Sequence, residues 1–109
     1  MNKFKINVFD EVVKLELRAV RYSFNNSLAI EAIEEETGES YKAVSVNLPV
    51  YAYLLEENEF FFDENNDYFN FKDAMLKAGL IAETGKIGAS GFCKYPVFKL
   101  LVELPRLEY

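Results

Sequence analysis

The sequence predicts a single α+β domain over residues 1–109, a mostly antiparallel sheet of about five or six strands with one principal helix packed on one face. Three observations carry that reading. Up to Pro49 apolar and polar residues alternate with the period of two that places successive side chains on opposite sheet faces. Between about 67 and 78 the period changes to that of a helix, with Tyr68, Phe71 and Met75 at i, i+3 and i+7 and Phe69 and Leu76 widening the apolar stripe. From Phe92 the alternation returns.

The elements follow in order. Phe4, Ile6 and Val8 alternate with Lys3, Lys5 and Asn7 in a first strand that Asp10 and Glu11 interrupt. Over 12–22, Val13, Leu15, Leu17 and Ala19 share a face opposite Lys14, Glu16 and Arg18, as in an antiparallel strand with one wet side, so the two strands form a hairpin. Asn25 and Asn26 tolerate a left-handed backbone and turn the chain into a third strand at 28–33; Glu36–Glu39 turns it again. A fourth strand covers Tyr41–Leu48, and Pro49 ends its ladder because it has no N–H to donate. Residues Tyr51–Glu57 fit neither period. Glu59–Asp63 is a short aromatic strand, with Phe61 and Phe62 on opposite faces. Asn65, Asn66 or Asp67 caps the helix at 67–78, and Gly79 followed by Leu80 reads as its left-handed stop with a hydrophobic contact. A glycine-rich loop occupies 84–91. The final strand runs from Phe92 to about Leu104, with Phe92, Phe98, Leu100, Val102 and Leu104 on one face and an edge or bulge near 94–96.

Composition bounds the chemistry. At 109 residues and 50% apolar, the chain can bury roughly two-thirds of the surface its unfolded form exposes, enough for one core without staples. It has no His and one Cys, which excludes Ser–His–Asp and Cys–His catalysis, intrachain disulfides and a Cys/His zinc site within one chain. A lone Cys93, with no charged-then-apolar leader and no long apolar run, points to the cytoplasm and away from a membrane. Cys93 itself has no His nearby and reads as a packed thiol.

The net charge is −6, unevenly distributed. Residues 31–67 hold eleven acids against Lys42 alone, a net −10, whereas the other positions hold seven acids and eleven bases, a net +4. No Lys/Arg cluster exists to displace counterions from a phosphate backbone, so direct nucleic-acid binding is not expected. Asp63, Asn65 and Asp67 have the spacing that opens an EF-hand loop, but Tyr68 stands where that motif needs Gly and Ala74 where it needs a bidentate Glu; no metal and no cofactor are expected. Glu56, Glu57 and Glu59 supply carboxylates without a geometry that would make two of them an acid and a base, so the chain is not expected to be an enzyme.

Two patches remain as candidates. Thr84, Lys86 and Ser90 are donors in a run with three of the five glycines, where successive backbone N–H groups can cradle an anion, although neither phosphate-loop fingerprint is present. Glu34, Glu35 and Glu36 head the acidic stretch, and Tyr95 is an aromatic anchor beside the loop.

Asn47-Leu48-Pro49, the Asn58–Asn66 stretch and above all Thr84-Gly85-Lys86 through Ser90-Gly91-Phe92-Cys93-Lys94-Tyr95-Pro96 resemble a family of small proteins classed as a domain of unknown function. The resemblance covers most of residues 1–98 and leaves the tail after Phe98 outside. It implies an origin on conjugative elements and prophages of Gram-positive gut bacteria. By analogy with small acidic proteins of such elements, it implies binding to a host protein, including one of its defences. The expectation is an acidic binding protein whose residues Glu34, Glu35 and Glu36 steer a host partner toward short-range contacts at Thr84, Lys86, Ser90 and Tyr95. The alternative is a small-ligand or nucleotide binder that uses 84–91. A steering surface requires the carboxylates of 31–67 to converge on one exposed face.

Overall fold

The computed structural model describes residues 2–105. Two four-stranded antiparallel sheets form the fold, in place of the one sheet of five or six strands that alternation alone suggests. The first contains β1 (Lys3–Val8), β2 (Glu11–Arg21), β3 (Leu28–Glu34) and β4 (Ser40–Ala43) in that order. The second is ordered β5-β6-β8-β7, from β5 (Ser45–Val46), β6 (Glu59–Phe62), β7 (Ile81–Ser90) and β8 (Cys93–Leu100).

The expected strand at 41–48 is where one sheet becomes two. Its first half pairs with β3 and its second with β6. Between them, Val44 donates its N–H to the Ile30 carbonyl and accepts the N–H of Asp63, each at 2.9 Å. Val44 is fully buried, so the crossing point lies within the core. The Ser45 hydroxyl secures it by accepting the Ile30 N–H at 2.8 Å.

Strand β6 explains why a second sheet is needed. All four of its residues are buried, so both faces require a cover, which a sheet with one wet side cannot give. Phe60 and Phe62 enter the main core with Leu15, Leu17, Ile30, Phe71, Met75 and Phe98. Phe61 points the other way, into a smaller cluster with Leu48 and Val97. Leu54, Leu55 and Tyr51 pack on that cluster, and the segment that fits neither period proves to be a 3-10 helix, Pro49–Leu54, with its proline at the start. Close approach fixes one glycine here: a Cβ on Gly88 would lie 2.5 Å from the Phe61 ring.

The helix is shorter than its periodicity suggests. A 3-10 turn at Glu64–Asn66 precedes it, and α1 itself spans Phe71–Lys77. Asp67 does act as its cap: its carboxylate accepts the N–H groups of Phe71 and Lys72 at 2.6 and 3.1 Å. Because the bridging residue Asn70 adopts a left-handed φ of 58°, residues 67–70 leave the helical path, and Tyr68 is exposed instead of stacking with Phe71 and Met75. At the other end Gly79, at φ 75°, donates to Leu76 and Leu80 donates to Met75, a Schellman motif with Leu80 buried as the closing contact. The helix packs against β1 and β7, the edge strands of the two sheets.

The expected loop at 84–91 is instead most of β7, which forms a hairpin with β8 closed at Gly91-Phe92. Phe92 stands fully exposed in that turn, off the strand face assigned to it, and the strand ends at Leu100, before the expected Leu104. The irregularity expected near 94–96 lies across the ladder on β7. Glu83 pairs with Phe98 and Ile87 with Pro96, so Thr84, Gly85 and Lys86 together oppose Val97. Pro96 falls just past Val97, where the pairing of β8 with β6 ends.

Candidate functional site

The bulge in β7 organises Thr84-Gly85-Lys86. The Thr84 hydroxyl donates to the Val97 carbonyl at 2.7 Å and accepts the Lys86 N–H at 3.2 Å, and Gly85 takes a φ of 82° that a side chain would disfavour. Lys86 is thereby turned across the sheet. Its ammonium donates to the Leu54 carbonyl at 2.6 Å and to the Glu59 carboxylate. Glu59 also accepts the Glu56 N–H at 3.0 Å. Burial on its own would raise the Glu59 carboxyl, but the Glu56 N–H and the Lys86 ammonium outweigh it and hold the group below the usual carboxylate value. Thr84 thus shapes the bulge within the hairpin, and Lys86 reaches from it to fasten the 49–59 segment onto the second sheet. Residues 84–90 lie in a paired strand and the Lys86 charge is met by Glu59, so Lys86 is engaged within the fold. Ser90 sits at the far end of the strand, paired with Cys93, and Tyr95 is half-buried beside the Phe61 cluster, so neither joins Thr84 and Lys86 in one concavity.

The acidic stretch does not converge on one face either. Glu34, Glu35 and Glu36 lie where β3 ends and turns toward β4, with Glu35 paired to Lys3 at 3.1 Å. Glu56 and Glu57 border a depression with Arg21 and Leu28, at the opposite end of β3. Asp63, Glu64 and Asp67 are used locally: Asp63 accepts from Asn66, Glu64 pairs with Lys72, and Asp67 caps α1. Asp63, Glu64 and Asp67 thus answer an amide, a lysine and a helix end close by, which charge counting along the sequence does not register.

Sequence reasoning missed a groove between β1 and α1. It has a volume of about 770 Å3. One wall is β1 from Lys3 to Asn7; the other is the stripe Asp73, Ala74, Lys77 and Ala78 of α1 and its C-terminal end, with Asn70 at its start. Small Ala74 and Ala78 leave the space open. Lys14 and Phe69 complete the rim. Four lysines against Glu35 and Asp73 make the groove net positive in a chain of net charge −6. The signal in the sequence was the lysine alternation in β1, which reads as an ordinary wet face until the helix is placed beside it.

At one end of β1 the chain turns through Phe9 and Asp10. Phe9 is 89% exposed and holds a left-handed φ of 55°, unusual for a bulky residue, and its ring and that of Phe69 meet edge-to-face with 6.2 Å between centroids. Exposed Val12 lies just beyond the turn.

No curated protein and no solved structure matches the chain. A family model does, over residues 15–108, so the tail beyond Phe98 belongs to the shared region and the match begins within β2. The chain is a member of the family described as a domain of unknown function, DUF4313.

Proposed function

We propose that this chain is a small protein-binding module of mobile-element origin that inhibits or sequesters a host protein in the cytoplasm, acting by contact and not by catalysis. The observation that supports it is Phe9. A phenylalanine that is 89% exposed in a left-handed turn gives up both burial and backbone ease, and such strain accumulates where function requires it. Phe69 props the ring, Val12 extends the apolar surface, and the groove begins beside them. An aromatic anchor beside a charged concavity is the composition of an interaction hot spot with a polar rim. The acidic turn Glu34–Glu36 supplies longer-range steering to a partner's basic residues.

Affinity capture from host cytosol with mass spectrometry tests this, using the wild-type chain, Phe9→Ser, and Phe92→Ser as a control at the other exposed hairpin turn. A host protein retained by the wild type and the control and lost with Phe9→Ser is the expected result. Retention by all three removes the support. With the partner in hand, reversing Glu34, Glu35 and Glu36 to lysine is expected to slow association and leave dissociation nearly unchanged.

A further inference from the structure

We infer that the groove between β1 and α1 takes an extended acidic segment of a partner protein, which adds to the free edge of β1 as a fifth strand of the first sheet. The inference deepens the protein-binding reading and rests on it. Its first support is the hydrogen-bond phase of β1. Leu17 donates to the Asn2 carbonyl, and Lys3 pairs with Glu16, Lys5 with Lys14 and Asn7 with Val12. Antiparallel ladders alternate, so with Asn2 turned toward β2, the N–H and C=O groups of Lys3, Lys5 and Asn7 point away from it, into the groove. Each offers one donor and one acceptor to an incoming strand.

The second support is charge. Lys5 and Lys14 face each other directly across the β1–β2 pair, an arrangement that costs stability when the charges are alike. Neither they nor Lys77 forms a salt bridge among the described residues, although the chain has eighteen acids against twelve bases. A carboxylate seated between Lys5 and Lys14 would relieve that repulsion. Edge lysines also exclude apolar and basic strands, so the same residues select for an acidic one.

Side-chain alternation gives the segment its pattern. Residues of an added strand on the face of Lys3, Lys5 and Lys14 meet ammonium groups and should be acidic. Those on the face of Phe4 and Ile6 meet Ala74 and Ala78 and should be small and apolar.

The probe is an acetylated, amidated octapeptide of alternating glutamate and valine, titrated into the 15N-labelled chain. Expected are saturable shifts at the amides of residues 3–7 and 70–78, with roughly millimolar affinity or better. Lys5→Glu and Lys77→Glu should each weaken binding at least about tenfold, and Lys94→Glu, outside the groove, should not. The same peptide N-methylated at alternate residues on its ladder-forming side should also lose binding, because a strand cannot pair without its N–H groups. Binding that survives N-methylation is charge attraction without strand addition, and overturns the inference, as does the absence of shifts at β1. A dimer of the chain alone, seen by sedimentation and altered by Lys5→Glu, would assign the edge to a second copy and overturn it too. A captured host protein that depends on Phe9 but is indifferent to Lys5→Glu would remove the groove while leaving the binding function in place.

Discussion

The Lys86 ammonium is hydrogen-bonded to the Glu59 carboxylate, which is 7% exposed and sits 27 residues away in sequence. The pair closes the bulge of β7 over the turn that follows the 3-10 helix, through the further bonds to Leu54 and Glu56. Removing the lysine leaves a buried carboxylate with its backbone donor alone. Lys86→Met is therefore expected to destabilise by about 2–3 kcal/mol, below the full cost of breaking a buried pair because the lysine end is partly exposed. Glu59→Gln, which keeps a hydrogen-bonding oxygen and frees a lysine that can reach water, should cost less, about 1 kcal/mol. Urea denaturation of both single variants and the double variant checks this; the double should cost less than the sum.

The same carboxylate predicts an acid limb. The folded state holds Glu59 below the usual carboxylate value, so the folded state binds its proton less readily than the unfolded chain. The stability this contributes is present above the unfolded value of about 4.3 and is lost as pH falls through the lower folded one. Denaturation midpoints measured from pH 7 to pH 3 should fall at the acid end, and the fall should be shallower in Glu59→Gln than in the wild type.

Much of the fold was legible because its signals are local. The hairpin of β1 and β2, with Leu15 and Leu17 inward, follows from alternation, and the Gly79 stop follows from a glycine and a leucine in sequence. What was illegible depends on contacts distant in the chain. Val44 lies between two ladders and bonds to residues on both sides, which no period reveals, and the one expected strand there is the junction of two sheets. Glycines at 85, 88 and 91 resemble a flexible loop in composition. Each serves a different end in a regular hairpin: a bulge, a close approach to Phe61, and a turn. The candidate site is less legible for the same reason: Lys86 reads in sequence as an unengaged donor because its partner Glu59 is remote, and the groove at β1 exists only once α1 lies beside it.

Both faces of β6 are load points, so truncation should be costly at three adjacent positions. Phe60→Ala, Phe61→Ala and Phe62→Ala are each expected to lose roughly 3–5 kcal/mol, whereas a strand with one wet face would show a cheap middle residue. Gly88→Ala should cost about 1–3 kcal/mol by pressing a methyl group into the Phe61 ring, and almost nothing in a Phe61→Ala background. Thermal denaturation of the four single variants and the Gly88/Phe61 double separates these cases; an undiminished Gly88 penalty in the double would place the contact elsewhere.

Gly79 isolates backbone strain from packing, since a Cβ there would meet nothing within 4 Å. Its φ of 75° is then the whole cost, and Gly79→Ala should destabilise by about 1 kcal/mol. A neutral or stabilised variant by urea denaturation would show a different helix end.

Phe9 and Gly91 occupy equivalent places in two hairpins. Each is the first of two residues in a tight turn, Val8 pairing with Glu11 in one and Ser90 with Cys93 in the other, and each has positive φ. Turns of this kind ordinarily put glycine at that position, as the second hairpin does. The first puts an exposed phenylalanine there. Phe9→Gly removes roughly 1–2 kcal/mol of left-handed strain and gives up an edge contact with Phe69 of about 0.5–1 kcal/mol, leaving a net gain between about 0 and 1.5 kcal/mol. The melting temperature is therefore expected to rise by a few degrees. If the ring is retained for a partner, the stabilised variant should also be the one that no longer captures it, and the two measurements together decide the point. A variant that is both less stable and unable to bind would make Phe9 a structural residue, whereas one that is more stable and binds undiminished would leave the exposed ring without a partner.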